Sequence, residues 1–236
     1  MRLLRRIGFA ALLIAVALSA AYFANTTRPP QNPAAPPPAS EQVGNADKAP
    51  PLVRAARSQI GRTVRYDPAY TALDYPMGDV PIAKGVCTDV VVRALRQQSI
   101  DLQQLVHQDM KANFSAYPNR WGLKRPDPNI DHRRVPNLEV YFTRHGWAVQ
   151  DGYRAGDIVT WRLAGSGLPH IGIVSDRKQG DTPLIIHNIG AGTREEDILF
   201  RHEIAGHFRQ PANVAPGTGG AAKPDAVFQV AACPRG

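Results

Sequence analysis

The stretch that decides the fold is Gly85-Val86-Cys87-Thr88-Asp89-Val90-Val91-Val92-Arg93-Ala94-Leu95-Arg96. Its apolar residues recur with the spacing of an amphipathic helix. The members of this stripe are Cys87, Val90, Val91, Ala94 and Leu95. The pattern predicts a helix that begins at Cys87 and turns one face toward a core, with Arg93 and Arg96 on the other side.

Cys87 lies in the first turn of this predicted helix, on the inward face. Unpaired backbone N–H groups and the positive end of the helix dipole favour a thiolate there, and a nucleophilic cysteine needs that form. Gly85, just before the helix, leaves room for backbone or ligand to approach. A structural cysteine fits the same position, because free cysteine is among the most buried residue types. Position alone leaves both interpretations open.

The N-terminal part of the sequence predicts export. Arg2, Arg5 and Arg6 precede the apolar residues 7–24, which carry no charge and end in small side chains. A basic segment before an apolar run is typical of a signal peptide, and this run is also borderline for a membrane span. Residues 1–27 are therefore predicted as either a cleaved signal peptide or an uncleaved membrane anchor. No cysteine directly follows the run, which excludes a lipoprotein anchor.

The rest of the chain divides by composition. Residues 28–51 are rich in proline and predict a disordered linker, because such a segment cannot bury a core. Residues 52–210 have the length and apolar content of one domain. Residues 211–236 are rich in Gly, Pro and Ala and predict an irregular tail.

Charge and cysteine content limit the function. The formal net charge is +8, which suits an anionic polymer or a carboxylate-bearing partner outside the cytoplasm. No nucleic-acid recognition motif is present, so we expect no nucleic-acid partner. The two cysteines are Cys87 and Cys233. In an oxidising compartment a disulfide between them is the main alternative to a catalytic Cys87.

Helical patterns fill the first half of the predicted domain and strand patterns the second. Helices are predicted at residues 52–60, from Cys87, after the N-cap residue Asp101, and at 136–145. A long loop is predicted at 113–137, either functional or simply a solvated surface loop. Strands are predicted at 147–150, 157–163, 170–176, 183–189 and 206–210. This order predicts an α+β fold with an antiparallel sheet.

Two histidines fall on adjacent predicted strands. His170 begins one strand, where Gly172 shares its face and clears space for another backbone such as the cysteine helix. A hairpin would bring the next strand, with His187 and Asn188, beside it. His170 suits a general base for Cys87, and either His187 or Asn188 suits the group that orients the base. Each histidine taken alone is equally typical of a polar strand end.

Metal and cofactor chemistry find no support in the sequence. His202 and His207 resemble the metalloprotease helix motif, but they are five residues apart. On a helix that spacing separates them by about 140°, so they cannot share a metal. We predict no metal and no cofactor.

Four motifs resemble a known superfamily. They are a cysteine at a helix start, Gly156-Asp157-Ile158-Val159-Thr160-Trp161, His170-Ile171-Gly172-Ile173-Val174 and Ile186-His187-Asn188. Together they look like the papain-like, NlpC-type cell-wall peptidases. More narrowly, two further segments resemble the bacterial domain-of-unknown-function family numbered 1287, which is grouped with the papain-like fold. These segments are Asp127-Pro128-Asn129-Ile130-Asp131-His132-Arg133-Arg134-Val135-Pro136-Asn137-Leu138 and Gly206-His207-Phe208-Arg209.

The resemblance implies a papain-like NlpC-type fold, in which N-terminal helices pack on an antiparallel sheet. It implies Cys87 as nucleophile, His170 as base and His187 as the third residue. Further candidates for substrate contact or scaffold support are Asp89, Arg133, Arg134 and His207. The usual Ser-Gly after the cysteine is Thr88-Asp89 here, and the lead-in is also different, which leaves the substrate class open.

We therefore expect a cysteine hydrolase that cleaves an amide bond in peptidoglycan peptides or another envelope peptide. Its location would be periplasmic or otherwise extracytoplasmic, it would contact a membrane only through an uncleaved N-terminal segment, and it would be a monomer. One alternative is a non-catalytic wall-binding or envelope-structural module with Cys87 bonded to Cys233. Another is an acyltransferase that uses the same residues.

Overall fold

The computed structural model describes residues 48–212. The predicted signal peptide or anchor, most of the predicted linker and the tail that contains Cys233 lie outside these residues. Within residues 48–212, no helix combines the length and the apolar character needed to cross a membrane.

Four α-helices lie in the first part of the described chain. The prolines at the start of the first helix and in the first turn of the last helix fit positions where a backbone N–H has no helical partner. The side chain of Asp101 caps the third helix by accepting a hydrogen bond from the Gln103 N–H. The helices are α1 (Pro51–Arg57), α2 (Cys87–Arg96), α3 (Leu102–Asn113) and α4 (Val135–Arg144).

Seven strands form two sheets. A short parallel pair joins β1 (Arg65–Tyr66) to β2 (Lys84–Gly85), just ahead of α2. The main sheet has five antiparallel strands in the order β6-β5-β4-β3-β7. Its members are β3 (Ile158–Arg162), β4 (Pro169–Gln179), β5 (Thr182–Asn188), β6 (Thr193–Glu196) and β7 (Glu203–Phe208). The predicted α+β architecture, with helices preceding an antiparallel sheet, is confirmed.

The two faces of the sheet bury different clusters. On one face Ile171, Ile173 and Ile186 join the main core, to which α1, α2 and α4 contribute. On the other face a smaller cluster contains Val159, Trp161, Val174, Ile185, Ile198 and Leu199. Because side chains alternate along a strand, His170 and His187 point to the face of the smaller cluster. Trp161 lies directly opposite His170 in the β3–β4 register.

Several predicted elements differ from the structure. The strand expected at 147–150 is reduced to a single bridge between Ala148 and Phe208. The last strand begins at Glu203 rather than at residue 206. Strand β6 was not predicted, because its sequence Thr-Arg-Glu-Glu has no apolar alternation.

The burial of Arg93 also differs from the prediction. It was expected on the exposed side of α2, but it is only 7% exposed. Its guanidinium group donates to the Asp79 carboxylate at 2.8 and 3.0 Å and to the backbone oxygens of Val80 and Lys84. The segment before α2 therefore folds back over the polar side of that helix, so α2 is enclosed on both sides.

The long loop is more ordered than its sequence predicts. It contains two short 3-10 turns, Phe114–Ala116 and Asp131–Arg133. All three residues of the second turn are buried, which excludes a fully solvated surface loop for this part of the chain. This turn packs beside the start of α2 and helps to build the site.

Candidate active site

Cys87 is the first residue of α2, as predicted. Val86 precedes it in an extended conformation, and the Asp89 carboxylate accepts the Val86 N–H at 2.7 Å. A side chain at Gly85 would place its Cβ 2.9 Å from the same carboxylate, so the glycine makes room for Asp89. The local sequence thus fixes the backbone that leads into the cysteine.

The Cys87 thiol is protonated at rest. Burial raises its pKa to about 12, and the nearby Asp89 charge acts in the same direction. The backbone N–H groups of Ile171, Thr88 and Cys87 itself favour the thiolate, but they do not offset burial. The helix start therefore favours the thiolate, as expected, but burial of the sulfur outweighs this effect.

His170 and His187 are brought together. Nε2 of His170 lies 3.0 Å from Nδ1 of His187, and both side chains are almost fully buried. Nε2 of His187 lies 3.0 Å from the partly exposed Glu196 carboxylate. Burial, together with the neighbouring His187 and His202, lowers the pKa of His170 to about 3. Both imidazoles are therefore neutral at pH 7, since burial also lowers the pKa of His187.

Cys87 lies against the start of β4. Its sulfur is influenced by the N–H of Ile171, the residue that follows His170 in the chain. Among residues 48–212, no hydrogen bond joins the Cys87 sulfur to either imidazole, and the ring nitrogen of His170 that His187 leaves unused is Nδ1. The start of β4 therefore has the Cys87 thiol on the side of α2 and the two imidazoles on the opposite face.

Asn188, the alternative third residue, has another partner. Its side-chain N–H donates to the backbone oxygen of Gly85 at 3.1 Å, and its side-chain oxygen accepts the Gly190 N–H. Asn188 therefore braces the segment that leads into Cys87. Of the two candidates, only His187 contacts His170 in the described residues.

Asp89 and Arg133 form a buried ion pair. Two guanidinium nitrogens of Arg133 lie 2.9 Å from the two Asp89 oxygens, and the side chains are 2% and 4% exposed. Thr88 adds a hydrogen bond from its hydroxyl to the Arg133 backbone oxygen at 3.1 Å. The Thr88-Asp89 pair therefore fastens α2 to the 131–133 turn, so the scaffold role considered for Asp89 and Arg133 is the one the contacts support.

An open pocket lies over Cys87, with a cavity volume of about 190 Å³. The Arg134 guanidinium group stacks over the Trp121 ring, 4.0 Å from its centroid, and both residues line the pocket. In residues 48–212, Arg134 forms its ion pair with the Asp131 carboxylate, at 3.4 Å. Other lining residues include Tyr66, Pro68, Val86, Ile130, Val135, Pro136 and Pro169.

His207 is not brought to this pocket. Its Nε2 lies 2.7 Å from the Asp157 carboxylate, which also binds Arg209. Its ring stacks near Tyr153. These contacts tie β7 to the turn before β3, so His207 supports the scaffold at a distance from Cys87. No group of three or more potential metal-binding side chains occurs in residues 48–212.

Glu196 was not predicted as a site residue. Its strand, β6, pairs with β5 so that Arg194 lies opposite His187 and Glu196 lies opposite Ile185. Residues two apart on a strand share a face, so Glu196 lies on the same face as His187. The signal available in the sequence was a polar run directly after the Gly190–Gly192 turn.

Comparisons with known proteins extend over most of the described chain. A family model described as "Domain of unknown function (DUF1287)" matches residues 53–210. "Uncharacterized protein YijF" of Escherichia coli (strain K12) is 54% identical over 200 residues, which cover 82% of this chain and 96% of that relative. The solved structure "Structure of NlpC1 from Trichomonas vaginalis" has 14% sequence identity and a TM-score of 0.35. It covers 67% of this chain, and the chain spans 43% of that protein.

Proposed function

Since this chain belongs to the DUF1287 family, we propose that it is an exported cysteine hydrolase that cleaves an amide bond in peptidoglycan peptides. The observation that carries the proposal is the position of Cys87. It combines the first turn of a helix, the wall of an open pocket, and a strand end that bears a pair of hydrogen-bonded imidazoles. Nucleophilic cysteine catalysis needs a helix-start thiol, access for substrate and a base that can come within hydrogen-bond reach of the sulfur.

The mechanism starts from a neutral Cys87 thiol and a neutral His170 imidazole. With a thiol pKa of about 12 and an imidazole pKa of about 3, a resting thiolate–imidazolium pair is unfavourable. As the sulfur attacks the substrate carbonyl, the Cys87 proton passes to Nδ1 of His170, which acts as a general base. Because no hydrogen bond joins these two groups in residues 48–212, this transfer requires the sulfur and the His170 ring to approach each other when substrate binds. His170 then protonates the leaving amine, and water hydrolyses the acyl-enzyme.

The helix start also supplies stabilisation for the oxyanion. The backbone N–H groups of Cys87 and Thr88 belong to the first turn of α2, where they have no helical acceptor. A carbonyl carbon bonded to the Cys87 sulfur would direct its oxygen toward such groups. Preorganised donors of this kind contribute about 3–4 kcal/mol to the stabilisation of the tetrahedral intermediate in other acyl-transfer enzymes.

The pocket favours a short peptide that carries a carboxylate. The cavity is about 190 Å³ and open to solvent, so it accommodates a short part of a peptide and not a large ligand. Arg134 offers a guanidinium group held flat on Trp121, and its contact with the Asp131 carboxylate is a single long one at 3.4 Å. Peptidoglycan peptides present both amide bonds and free carboxylates, so they match this lining.

The direct test uses purified full-length protein and isolated cell-wall peptides. We expect wild-type protein to release new amine and carboxylate ends, and we expect Cys87→Ala to release none. Cys233→Ala, which changes the other cysteine, is the matched control and should retain the wild-type rate. Equal digestion by wild type and Cys87→Ala would end the hydrolase proposal, whereas transfer of the acyl group to an added amine would replace it by acyl transfer.

Thiol counting addresses the role of the second cysteine. Titration of the denatured, non-reduced protein should give two free thiols per chain if Cys87 is a nucleophile. Cys87 has no disulfide partner in residues 48–212, and Cys233 lies outside them. Loss of both thiols in a monomer would favour the wall-binding module instead.

A further inference from the structure

Glu196 ends a chain of three side chains that begins at His170. His170 Nε2 lies 3.0 Å from His187 Nδ1, and His187 Nε2 lies 3.0 Å from Glu196 Oε2. His187 is 1% exposed, so its ring has these two partners and no access to bulk water. Glu196 is 38% exposed and keeps contact with solvent. The chain therefore runs from the buried strand end to the surface.

The chemistry of a carboxylate fixes the direction of these hydrogen bonds. An ionised carboxylate only accepts, so the proton on the outer nitrogen of His187 must lie on Nε2. In a neutral His187 the other nitrogen, Nδ1, then carries a lone pair and accepts from His170 Nε2–H. A neutral His170 with its proton on Nε2 has its lone pair on Nδ1. The Glu196 carboxylate therefore fixes the tautomer of His187, and His187 in turn fixes the tautomer of His170.

We propose that Glu196 is a positioning residue that holds His187 and His170 in their Nε2–H tautomers and so keeps Nδ1 of His170 open as the acceptor for the Cys87 proton. The last step rests on the proposed function, whereas the tautomers do not. When His170 takes up a proton, the same chain presents an acceptor to the Nε2–H of the new imidazolium, and Glu196 stabilises that charge through His187.

Other charged groups near the chain do not replace Glu196. Arg194 faces the other Glu196 oxygen at 3.8 Å, and His202 lies near both imidazoles. Neither is a carboxylate, so neither offers His187 an anionic acceptor. Among residues 48–212, Glu196 is the one carboxylate bonded to His187.

The test compares Glu196→Gln with Glu203→Gln, which removes a carboxylate from an exposed position on β7 of the same sheet. A glutamine amide can donate to His187 Nε2, so the variant permits the opposite tautomer. Nitrogen-15 NMR of the imidazoles in full-length protein at pH 7 reports the tautomers directly. We expect both rings as Nε2–H in wild type and in Glu203→Gln, and a mixture or the Nδ1–H form in Glu196→Gln.

Kinetics give an independent measurement. Glu196→Gln should lower kcat by about 10²-fold or more with little change in KM, because an incorrect tautomer removes the base without removing the binding site. Glu196→Asp keeps a carboxylate with a shorter reach and should recover part of kcat. If Glu196→Gln does not fold, the tautomers are measured instead from the nitrogen-15 spectrum of Glu196→Asp.

Two results separate this inference from the proposed function. Unchanged tautomers in Glu196→Gln, or an unchanged kcat, would overturn the positioning role. A wild-type protein that hydrolyses nothing but loses its Nε2–H tautomers in Glu196→Gln would end the hydrolase proposal and retain the role of Glu196 in fixing the two imidazoles.

Discussion

Arg133 and Arg134 are neighbours in sequence, but their guanidinium groups have different surroundings. Arg133 is buried against Asp89, whereas Arg134 stacks on Trp121 at the pocket wall. Both carry the same charge and both were candidates for substrate contact. The deciding difference is the carboxylate: Arg133 has a bidentate partner, and Arg134 has one weak contact with Asp131.

Replacement of each arginine by alanine should separate the two roles. Arg133→Ala leaves the buried Asp89 carboxylate without its charged partner, so we expect the free energy of unfolding to fall by about 3–5 kcal/mol. Arg134→Ala should lower it by at most about 2 kcal/mol, because only the stacking contact and the 3.4 Å contact with Asp131 are lost, and should raise KM instead. Urea unfolding and hydrolysis kinetics measure both effects. Equal losses of stability in the two variants would contradict this assignment.

His132 should make the protein sensitive to acid. It is 2% exposed, and burial followed by the Arg96 and Arg133 charges lowers its pKa from 6.5 to about 3. Its contribution to stability is therefore present above pH 6.5 and is lost as the pH falls toward 3. Each buried group of this kind contributes a slope of at most about 1.4 kcal/mol per pH unit.

The variant His132→Leu removes this proton linkage and keeps an apolar side chain in the turn. We expect its free energy of unfolding to fall less steeply than that of wild type between pH 6.5 and pH 3. Urea unfolding at several pH values measures the slope. An identical slope in the two proteins would show that His132 does not carry the acid sensitivity.

At the scale of secondary-structure elements, β4 and β5 approach each other closely at Gly172. A Cβ at this position would lie 2.6 Å from Ile185 Cγ2 and 3.1 Å from His187 Cβ. The expectation that Gly172 makes room for the cysteine helix was therefore wrong, because β5 fills that space. The glycine instead lets His187 lie beside His170.

Gly172→Ala should disturb the imidazole pair. The added methyl group pushes against β5, so we expect a loss of about 1–3 kcal/mol in stability and a fall in hydrolysis. Gly152→Ala is the control, because its added Cβ meets no heavy atom within 4 Å. Thermal unfolding and kinetics compare the two variants. A Gly172→Ala protein as stable and active as Gly152→Ala would contradict this close packing.

The elements that the sequence predicted well are those with one clear apolar period. Helix α2 and strands β3, β4 and β5 alternate or repeat as buried segments must. Strand β6 has no such period, because it lies at the sheet edge and its residues are polar. For that reason His187 was predicted and Glu196 was not. Likewise the burial of Arg93 depends on contacts from a loop, which no local pattern of α2 reveals.

At the scale of the whole molecule, the site gathers residues that are distant in sequence. Cys87 comes from α2, His170 and His187 from two strands, and Glu196 from the sheet edge. The two core clusters that hold these elements draw their residues from Ala49 through Phe208. A single cooperative domain over this range is therefore sufficient to form the site.

A shortened protein that comprises residues 48–212 should fold without the rest of the chain. We expect a melting temperature within about 4 °C of the full-length value, since a change of about 1 kcal/mol corresponds to roughly that shift for this size. Differential scanning calorimetry and hydrolysis assays measure the outcome. A failure to fold would show that residues outside this range belong to the domain.

The three tryptophans differ in their surroundings, and this provides an optical signal for occupancy of the pocket. Trp147 and Trp161 are 1% and 0% exposed, whereas Trp121 is 41% exposed under Arg134. Water-soluble quenchers such as iodide should therefore quench the fluorescence of Trp121 and leave that of Trp147 and Trp161 unchanged. A peptide seated over Cys87 would shield Trp121, so fluorescence titration can rank ligands without any turnover.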